Sequence, residues 1–180
     1  MKIALVGYRG TGKSTVATIL GRTLGWQVVS TDAELCARAG MSVPEIVDQR
    51  GWSGFRDIEE GVVADLVRRE HVVLDCGGGV IEREANIERL RDDGPVVWLT
   101  ASPPAIAERI AGDTQRPALT HGKSFTEEIE EVLRRRGPLY DRVSDYRVDT
   151  ENRSPDEIAL EVLELVAEDI EHTAVRSFRR

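Results

Sequence analysis

Short apolar segments of four to six residues alternate along the chain with longer segments in which apolar residues recur every three or four positions. The short segments have the length and composition of buried strands, and the longer ones have the periodicity of helices that cover a sheet. Five strands are predicted, at residues 2–6, 27–30, 71–75, 95–100 and 146–149. Because strands and helices alternate, we predict an α/β fold, a three-layer sandwich around a five-stranded parallel sheet.

Capping residues mark where several of the helices begin. Residues 154–157 read Ser-Pro-Asp-Glu, in which Ser is an N-cap, Pro occupies the first helical position and Glu completes a capping box. Within residues 33–60 two short helical pieces are predicted, and Ser42 and Pro44 mark the start of the second. Three arginines at 134–136 are expected to end a helix, where the helix dipole favours positive charge.

A phosphate-binding loop follows the first strand. Residues 7–15 read Gly-Tyr-Arg-Gly-Thr-Gly-Lys-Ser-Thr and fit the pattern G-x-x-x-x-G-K-[ST] between a strand and a helix. Glycines let the backbone curl its N–H groups into an anion nest, Lys13 can reach the β- and γ-phosphates, and the Ser14 hydroxyl can ligate Mg²⁺. The residues predicted to hold the nucleotide phosphates are Gly10, Thr11, Gly12, Lys13, Ser14 and Thr15.

The amino-acid composition limits which partners the protein can bind and indicates its cellular location. The 180 residues carry a net charge of −8, which argues against a general nucleic-acid or anionic-membrane surface. Cys36 and Cys76 form no C-x-x-C pair, no apolar run approaches a membrane span, and the N-terminus enters a strand directly. We therefore expect a cytoplasmic protein with one domain at 1–172 and a frayed tail at 173–180. We also expect a monomer.

Polar residues follow three of the predicted strands. Ligands of parallel sheets bind beyond the carboxyl ends of the strands, so the phosphate loop, Asp32 and residues 75–79 are expected to lie together. Asp32 could instead be the N-cap of the next helix. The three glycines at 77–79 could form only a tight turn, although they would also let a small polar ligand approach the backbone.

Two further arginines stand out. Arg56 precedes a run of carboxylates and could simply pair with one of them. Arg116 lies in residues 112–125, a polar, turn-rich stretch predicted to be a mobile lid, although a solvated Arg is also an ordinary feature of such a loop.

Together these residues resemble the shikimate kinase family, from residue 1 to about residue 150. The elements that carry the resemblance are the loop at 7–15, Asp32, Phe55-Arg56 with Glu59, Gly77-Gly78-Gly79, Arg116-Pro117, Arg136-Gly137-Pro138-Leu139-Tyr140 and Arg147-Val148-Asp149-Thr150. The resemblance implies Mg²⁺- and ATP-dependent phosphorylation of the 3-hydroxyl of shikimate, in chorismate biosynthesis, on a fold like that of the nucleoside monophosphate kinases.

The resemblance also implies a role for each residue. Lys13 would hold the transferring phosphoryl group, Asp32 would bind shikimate hydroxyls and could take the proton, and Arg116 would close with the lid over ATP. Arg56 and Arg136 would clamp the shikimate carboxylate, and the substrate would contact Gly77, Gly78 and Gly79.

The chain departs from the family pattern near the expected metal. Ser30 stands where the family usually has the first carboxylate of Asp-x-Asp, Cys36 where it tends to have Glu, and Trp52 where it has Glu after Gly. Asp75, after four residues of the third strand, fits the Walker B position of other phosphate-loop enzymes. Ser14 and Asp75 are therefore predicted to serve the metal. Asp75 could alternatively cap the glycine turn.

Other functions fit parts of the pattern. A kinase of gluconate or of a nucleoside monophosphate would share the fold, but Arg56 and Arg136 with the three glycines suit a compact hydroxylated carboxylate. A GTP-dependent switch or a nucleotide-binding protein without turnover is an alternative from a different class, but the chain has no Asn/Thr-Lys-x-Asp motif for guanine, and Arg116 in a lid suits phosphoryl transfer better than switching.

Overall fold

The computed structural model describes residues 1–92, 94–111 and 125–177, with side chains for all of these except 125 and 172–177. Its strands are β1 (Lys2–Val6), β2 (Gln27–Ser30), β3 (Val72–Asp75), β4 (Val96–Thr100) and β5 (Tyr146–Asp149). They form one sheet in the order β2-β3-β1-β4-β5, and every neighbouring pair is parallel. The predicted five-stranded parallel sheet is confirmed.

Helices connect the strands and cover both faces of the sheet. They are α1 (Lys13–Leu24), α2 (Thr31–Ala39), α3 (Val43–Leu66), α4 (Glu84–Arg91), α5 (Pro103–Arg109), α6 (Phe125–Val143) and α7 (Pro155–Ser177), with a 3₁₀ turn at Val80–Glu82. None of the helices in the described part of the chain is long and apolar enough to cross a membrane.

Alternate residues of the central strand enter two separate cores. Ala4 and Val6 pack with apolar residues of α2, α3, α4 and α6, whereas Ile3 and Leu5 pack with those of α1 and α7. This period of two follows from the pleat of a strand, and it divides the helices into two layers. The three-layer sandwich predicted from the sequence is confirmed.

The helix starts agree with the capping signals. The Ser154 hydroxyl accepts a hydrogen bond from the Glu157 backbone N–H (3.3 Å), while the Glu157 carboxylate accepts one from the Ser154 N–H (2.8 Å). Ser42 and Glu45 form the same capping box at the start of α3. Inside α3, Gly51 adopts φ 66° and ψ 176°, so the helix is kinked there.

The predicted end of α6 is wrong. The helix does not stop at residues 134–136 but continues to Val143, with Pro138 inside it. Tyr140 and Val143 beyond the proline are fully buried in the core, and this packing outweighs the backbone hydrogen bond that a proline removes. At the other end of the chain, α7 continues past residue 172 to Ser177, and the division into a domain and a tail stays a prediction.

Candidate active site

Two side chains of the phosphate loop donate hydrogen bonds to a backbone carbonyl group of the same loop. The Tyr8 carbonyl oxygen accepts hydrogen bonds from the Lys13 ammonium (3.0 Å) and the Thr11 hydroxyl (2.8 Å). Gly12 has φ 88° and caps α1, so the helix N-terminus and its partial positive charge face the loop. A Cβ on Gly7 would lie 2.4 Å from the Leu99 carbonyl oxygen, which explains why glycine is needed at the entry to the loop.

A first cavity opens beside this loop. It is lined by Gly10, Gly12, Lys13, Ser14 and Thr15 together with Arg9, Ser30, Asp32 and residues 75–78. Within it the Ser14 hydroxyl donates a 2.6 Å hydrogen bond to the Asp75 carboxylate. The two residues predicted to serve the metal therefore lie in direct contact. Thr11, by contrast, is buried and holds the loop from within.

Ser30, and not Asp32, is the N-cap of α2. The Ala33 N–H donates to the Ser30 hydroxyl at 3.3 Å, so the alternative that assigned this cap to Asp32 is wrong. Asp32 lies in the first turn of α2, half-buried, and its carboxylate packs against Gly77. A Cβ on Gly77 would lie 2.3 Å from Asp32 Oδ1, which leaves no room for a side chain there.

A second cavity adjoins the first and contains the predicted carboxylate clamp. It is lined by Tyr8, Arg9, Asp32, Val43, Trp52, Phe55, Arg56, Glu59, Gly78, Gly79 and Arg136. The two cavities share Arg9, Asp32 and Gly78. Most residues that the sequence predicts for the phosphates and for the acceptor thus line two connected spaces.

Arg56 is held from several sides. Its Nη1 donates to Glu59 Oε2 at 2.6 Å, and its guanidinium carbon lies 5.0 Å from the Phe55 ring centroid and 5.7 Å from that of Trp52. Burial raises the pKa of Glu59 to about 7, although the positive charge of Arg56 acts in the opposite direction. The pair therefore changes its net charge close to neutral pH.

The glycine turn presents its backbone to the second cavity. A Cβ on Gly79 would lie 1.9 Å from Arg56 Nη2, whereas the nearest atom to a Cβ on Gly78 would be the Gly7 carbonyl oxygen at 3.4 Å. The buried Tyr140 hydroxyl donates to the Gly78 carbonyl oxygen, and its ring stacks on Trp98 with centroids 5.6 Å apart. These contacts hold the turn in one conformation.

Arg9 is a site residue that the sequence analysis did not single out. It occupies a variable position of the loop pattern, yet its side chain lines both cavities. Its Nη2 lies 4.0 Å from Glu128 Oε1 on α6, and its guanidinium carbon lies 5.9 Å from the Tyr8 ring centroid. A basic side chain within the loop pattern was the available signal. Arg116 and the predicted lid at 112–125 lie outside the described residues, apart from the helical backbone of residue 125.

A parallel sheet with a phosphate loop at the carboxyl end of its central strand, and a second cavity beside that loop, is typical of kinases of the phosphate-loop class. The family model for shikimate kinase matches residues 9–167. The chain belongs to the shikimate kinase family. It is accordingly an ATP-dependent phosphotransferase that acts on an alcohol acceptor.

Individual relatives match nearly the whole chain. The shikimate kinase of Rhodopirellula baltica is 42% identical over 163 residues, covering 88% of this chain and 87% of the relative. That of Thermodesulfovibrio yellowstonii is 37% identical over 161 residues, covering 89% and 92%. The structure of shikimate kinase from Acinetobacter baumannii in complex with shikimate has a TM-score of 0.89 at 32% identity and covers 93% of each chain.

Proposed function

We propose that the chain transfers the γ-phosphate of ATP to the 3-hydroxyl of shikimate where its two cavities meet. The observation that carries this proposal is their shared wall of Arg9, Asp32 and Gly78. One cavity contains the phosphate loop and the other contains two arginines that can bind a carboxylate. A donor phosphate and an acceptor hydroxyl held in these cavities would be adjacent, and phosphoryl transfer depends mainly on such positioning and on charge stabilisation.

The phosphate loop would bind the donor. Its backbone N–H groups and the N-terminus of α1 form a positive nest for the phosphates. The Lys13 ammonium, which donates to the Tyr8 carbonyl in this structure, is close enough to the cavity to exchange that contact for a phosphate oxygen. Lys13 would then follow the charge of the transferring group.

Ser14 and Asp75 would hold Mg²⁺. A hydroxyl and a carboxylate in contact beside the phosphate loop are hard oxygen donors, and Mg²⁺ in kinases is usually bound by one or two such groups together with phosphate oxygens and water. The donor set therefore fits the metal. When bound, the ion would neutralise part of the charge on the phosphates. Ser30 already accepts the cap bond of α2, so it is less suited to this role.

Arg56 and Arg136 would bind the shikimate carboxylate, and Asp32 would bind the hydroxyls. Both arginines are buried at the wall of the second cavity, and the planar guanidinium group matches a carboxylate in a paired hydrogen bond. Asp32 is common to both cavities, so it could accept the hydroxyl proton as the hydroxyl attacks. Gly78 would let the substrate ring approach the backbone, whereas the absence of a side chain at Gly79 makes room for the Arg56 guanidinium.

Arg9 would supply positive charge at the boundary. Of the three shared residues, Arg9 alone is a cation. Negative charge on the phosphoryl oxygens must be stabilised in the transition state of transfer, and Arg9 would supply the opposite charge. Its pairing with Glu128 on α6 supports a fixed orientation.

A coupled assay of ADP release, with and without shikimate, tests the function. We expect ADP release that depends on both shikimate and Mg²⁺, with a product whose mass exceeds that of shikimate by one phosphoryl group. Gluconate and nucleoside monophosphates serve as alternative acceptors in matched reactions. Phosphorylation of either of these, with none of shikimate, would contradict the proposal.

A further inference from the structure

Glu82, at the end of the 3₁₀ turn, joins the two arginines of the clamp. Its Oε1 accepts hydrogen bonds from Arg136 Nε (2.7 Å) and lies 2.6 Å from Arg136 Nη2, while its Oε2 lies 3.5 Å from Arg56 Nε. Arg56 belongs to α3 and Arg136 to α6. A single carboxylate thus bridges two buried cations that come from different helices, and its Oε1 also accepts a 3.1 Å hydrogen bond from the exposed Arg135.

The bridge lies outside the cavity. Arg56 and Arg136 both line the acceptor cavity, whereas Glu82 is absent from the described residues that line it. Glu82 contacts the Nε edges of the two guanidinium groups. Because a guanidinium has five N–H donors in a planar fork, a carboxylate at this edge does not use up the donors that could bind a ligand.

The charges in this cluster require such a partner. Arg56 and Arg136 are both buried, with 7% and 5% of their surface exposed, and two buried like charges repel each other. Burial alone would raise the pKa of Glu82, but the charges of Arg136 and then Arg56 outweigh it and leave this pKa below its ordinary value. The carboxylate is therefore ionised at neutral pH and offsets part of the repulsion.

We propose that Glu82 is a positioning residue for the acceptor: it fixes Arg56 and Arg136 at one spacing before the substrate carboxylate arrives. The inference rests on the proposed function of the two arginines. Long side chains that are already ordered lose less conformational freedom when a ligand binds, so preorganisation strengthens binding without a new contact to the ligand. No contact between Glu82 and the substrate is required.

Four variants of the full chain test this role: Glu82→Ala, Glu82→Gln, Glu82→Asp and, as a control, Glu84→Ala. Glu84 is a matched control because it also pairs with an arginine of α6, Arg142, but is 61% exposed. For Glu82→Ala we expect the KM for shikimate to rise about tenfold while the KM for ATP is unchanged, since small misplacements of binding groups cost factors of this order.

The two conservative variants separate geometry from charge. Gln keeps the length and the oxygen that accepts from Arg136 but lacks the charge that offsets the repulsion, so its KM for shikimate should rise less than that of Ala, by about threefold. Asp keeps the charge but is shorter by one methylene group, so it should resemble Ala. Glu84→Ala should behave as the wild type does.

Other results would overturn the proposal. A lower or unchanged KM for shikimate in Glu82→Ala would show that Glu82 competes with the substrate or only forms a surface ion pair. Equal rises in both KM values, with a lower Tm, would show a structural role, and an impaired Gln variant beside a normal Asp variant would show that charge alone matters. Failure of the proposed function is recognised separately, because the wild type itself would then show no shikimate-dependent turnover. If Glu82→Ala does not fold, the Gln and Asp comparison still decides the question.

Discussion

Ser30 and Asp75 lie directly opposite each other, as the last paired residues of the parallel strands β2 and β3. Residue 30 lacks the carboxylate that the shikimate kinase pattern leads one to expect, and Asp75 has one at the same level of the neighbouring strand. Neighbouring strands are about 4.8 Å apart, so the Asp75 carboxylate lies about one strand spacing along the edge of the sheet. The Ser14 hydroxyl contacts it there, at 2.6 Å.

This relationship leads to a prediction for Asp75→Asn. The variant should need about tenfold more Mg²⁺ for half-maximal turnover, because an amide is a weaker ligand than a carboxylate for a hard cation. Calorimetry provides a second measurement, in which Mg²⁺ should strengthen ADP binding less than it does in the wild type. Asp65→Asn, which removes an exposed partner of Arg38, is the control. Normal Mg²⁺ dependence with a lowered Tm would show that Asp75 is structural.

Arg136→Ala should weaken shikimate binding far more than ATP binding. A hydrogen bond to a charged group contributes about 1.5–3 kcal/mol, which corresponds to a loss of about tenfold to a hundredfold. Steady-state KM values for both substrates provide the measurement. Arg142→Ala on the same helix is the control, since Arg142 is 47% exposed and pairs with Glu84. Equal losses for both substrates would point to a folding defect.

Gly78→Ala and Gly79→Ala should act differently. A methyl group on Gly79 would overlap the Arg56 guanidinium group, which is buried and paired with Glu59, so this variant should displace the clamp and lower the Tm. A methyl group on Gly78 meets no atom closer than 3.4 Å and would instead occupy space in the acceptor cavity. We expect a higher KM for shikimate in both variants. In a double-mutant cycle, Arg56→Ala should raise the KM for shikimate less in the Gly79→Ala background than in the wild type. In the Gly78→Ala background it should raise this KM as much as in the wild type.

Shikimate binding should weaken as the pH rises through about 7. Burial raises the pKa of Glu59 to about 7, so below this pH the carboxyl is neutral and the charge of Arg56 is available to the substrate carboxylate. Above it, ionised Glu59 competes for that charge. Asp32 and Glu82 are the neighbouring carboxylates, and both raise the pKa of Glu59. The affinity measured by calorimetry from pH 6 to pH 8 should fall several-fold, and Glu59→Gln should abolish this dependence. An identical pH profile in the variant would assign the effect to another group.

Arg9→Ala should lower kcat by about tenfold to a hundredfold, because a charge-assisted hydrogen bond would be lost at the transferring phosphoryl group. The KM for ATP should change less than kcat, since Lys13 and the loop backbone would still bind the phosphates. Rapid-quench measurement of the chemical step distinguishes this from slow product release. A variant with normal kcat and a higher KM for shikimate would place Arg9 on the acceptor instead.

The local features of the fold were predictable from the sequence. The phosphate loop depends on consecutive backbone N–H groups and on Lys13 and Ser14, all within nine residues, and the caps at Ser42 and Ser154 depend on residues three positions apart. The continuous apolar run of β1 predicted a strand buried on both faces, which the two cores confirm. In each case the partners are close in sequence, so the pattern of residues is itself the evidence.

Tertiary structure decided what depends on distant partners. Arg56, Glu82 and Arg136 come from three elements, and only the packing of α3, the 3₁₀ turn and α6 on one face of the sheet brings them together. The same packing buries Glu59 and so raises its pKa, and it carries α6 past residues 134–136, where the positive charges predicted an end. Arg9 occupies a variable position of a local motif, and only the structure shows that it lines both cavities and lies 4.0 Å from Glu128 on α6. Side-chain identity gives the chemistry available to each residue, but the distances between residues far apart in sequence are set by how the layers pack.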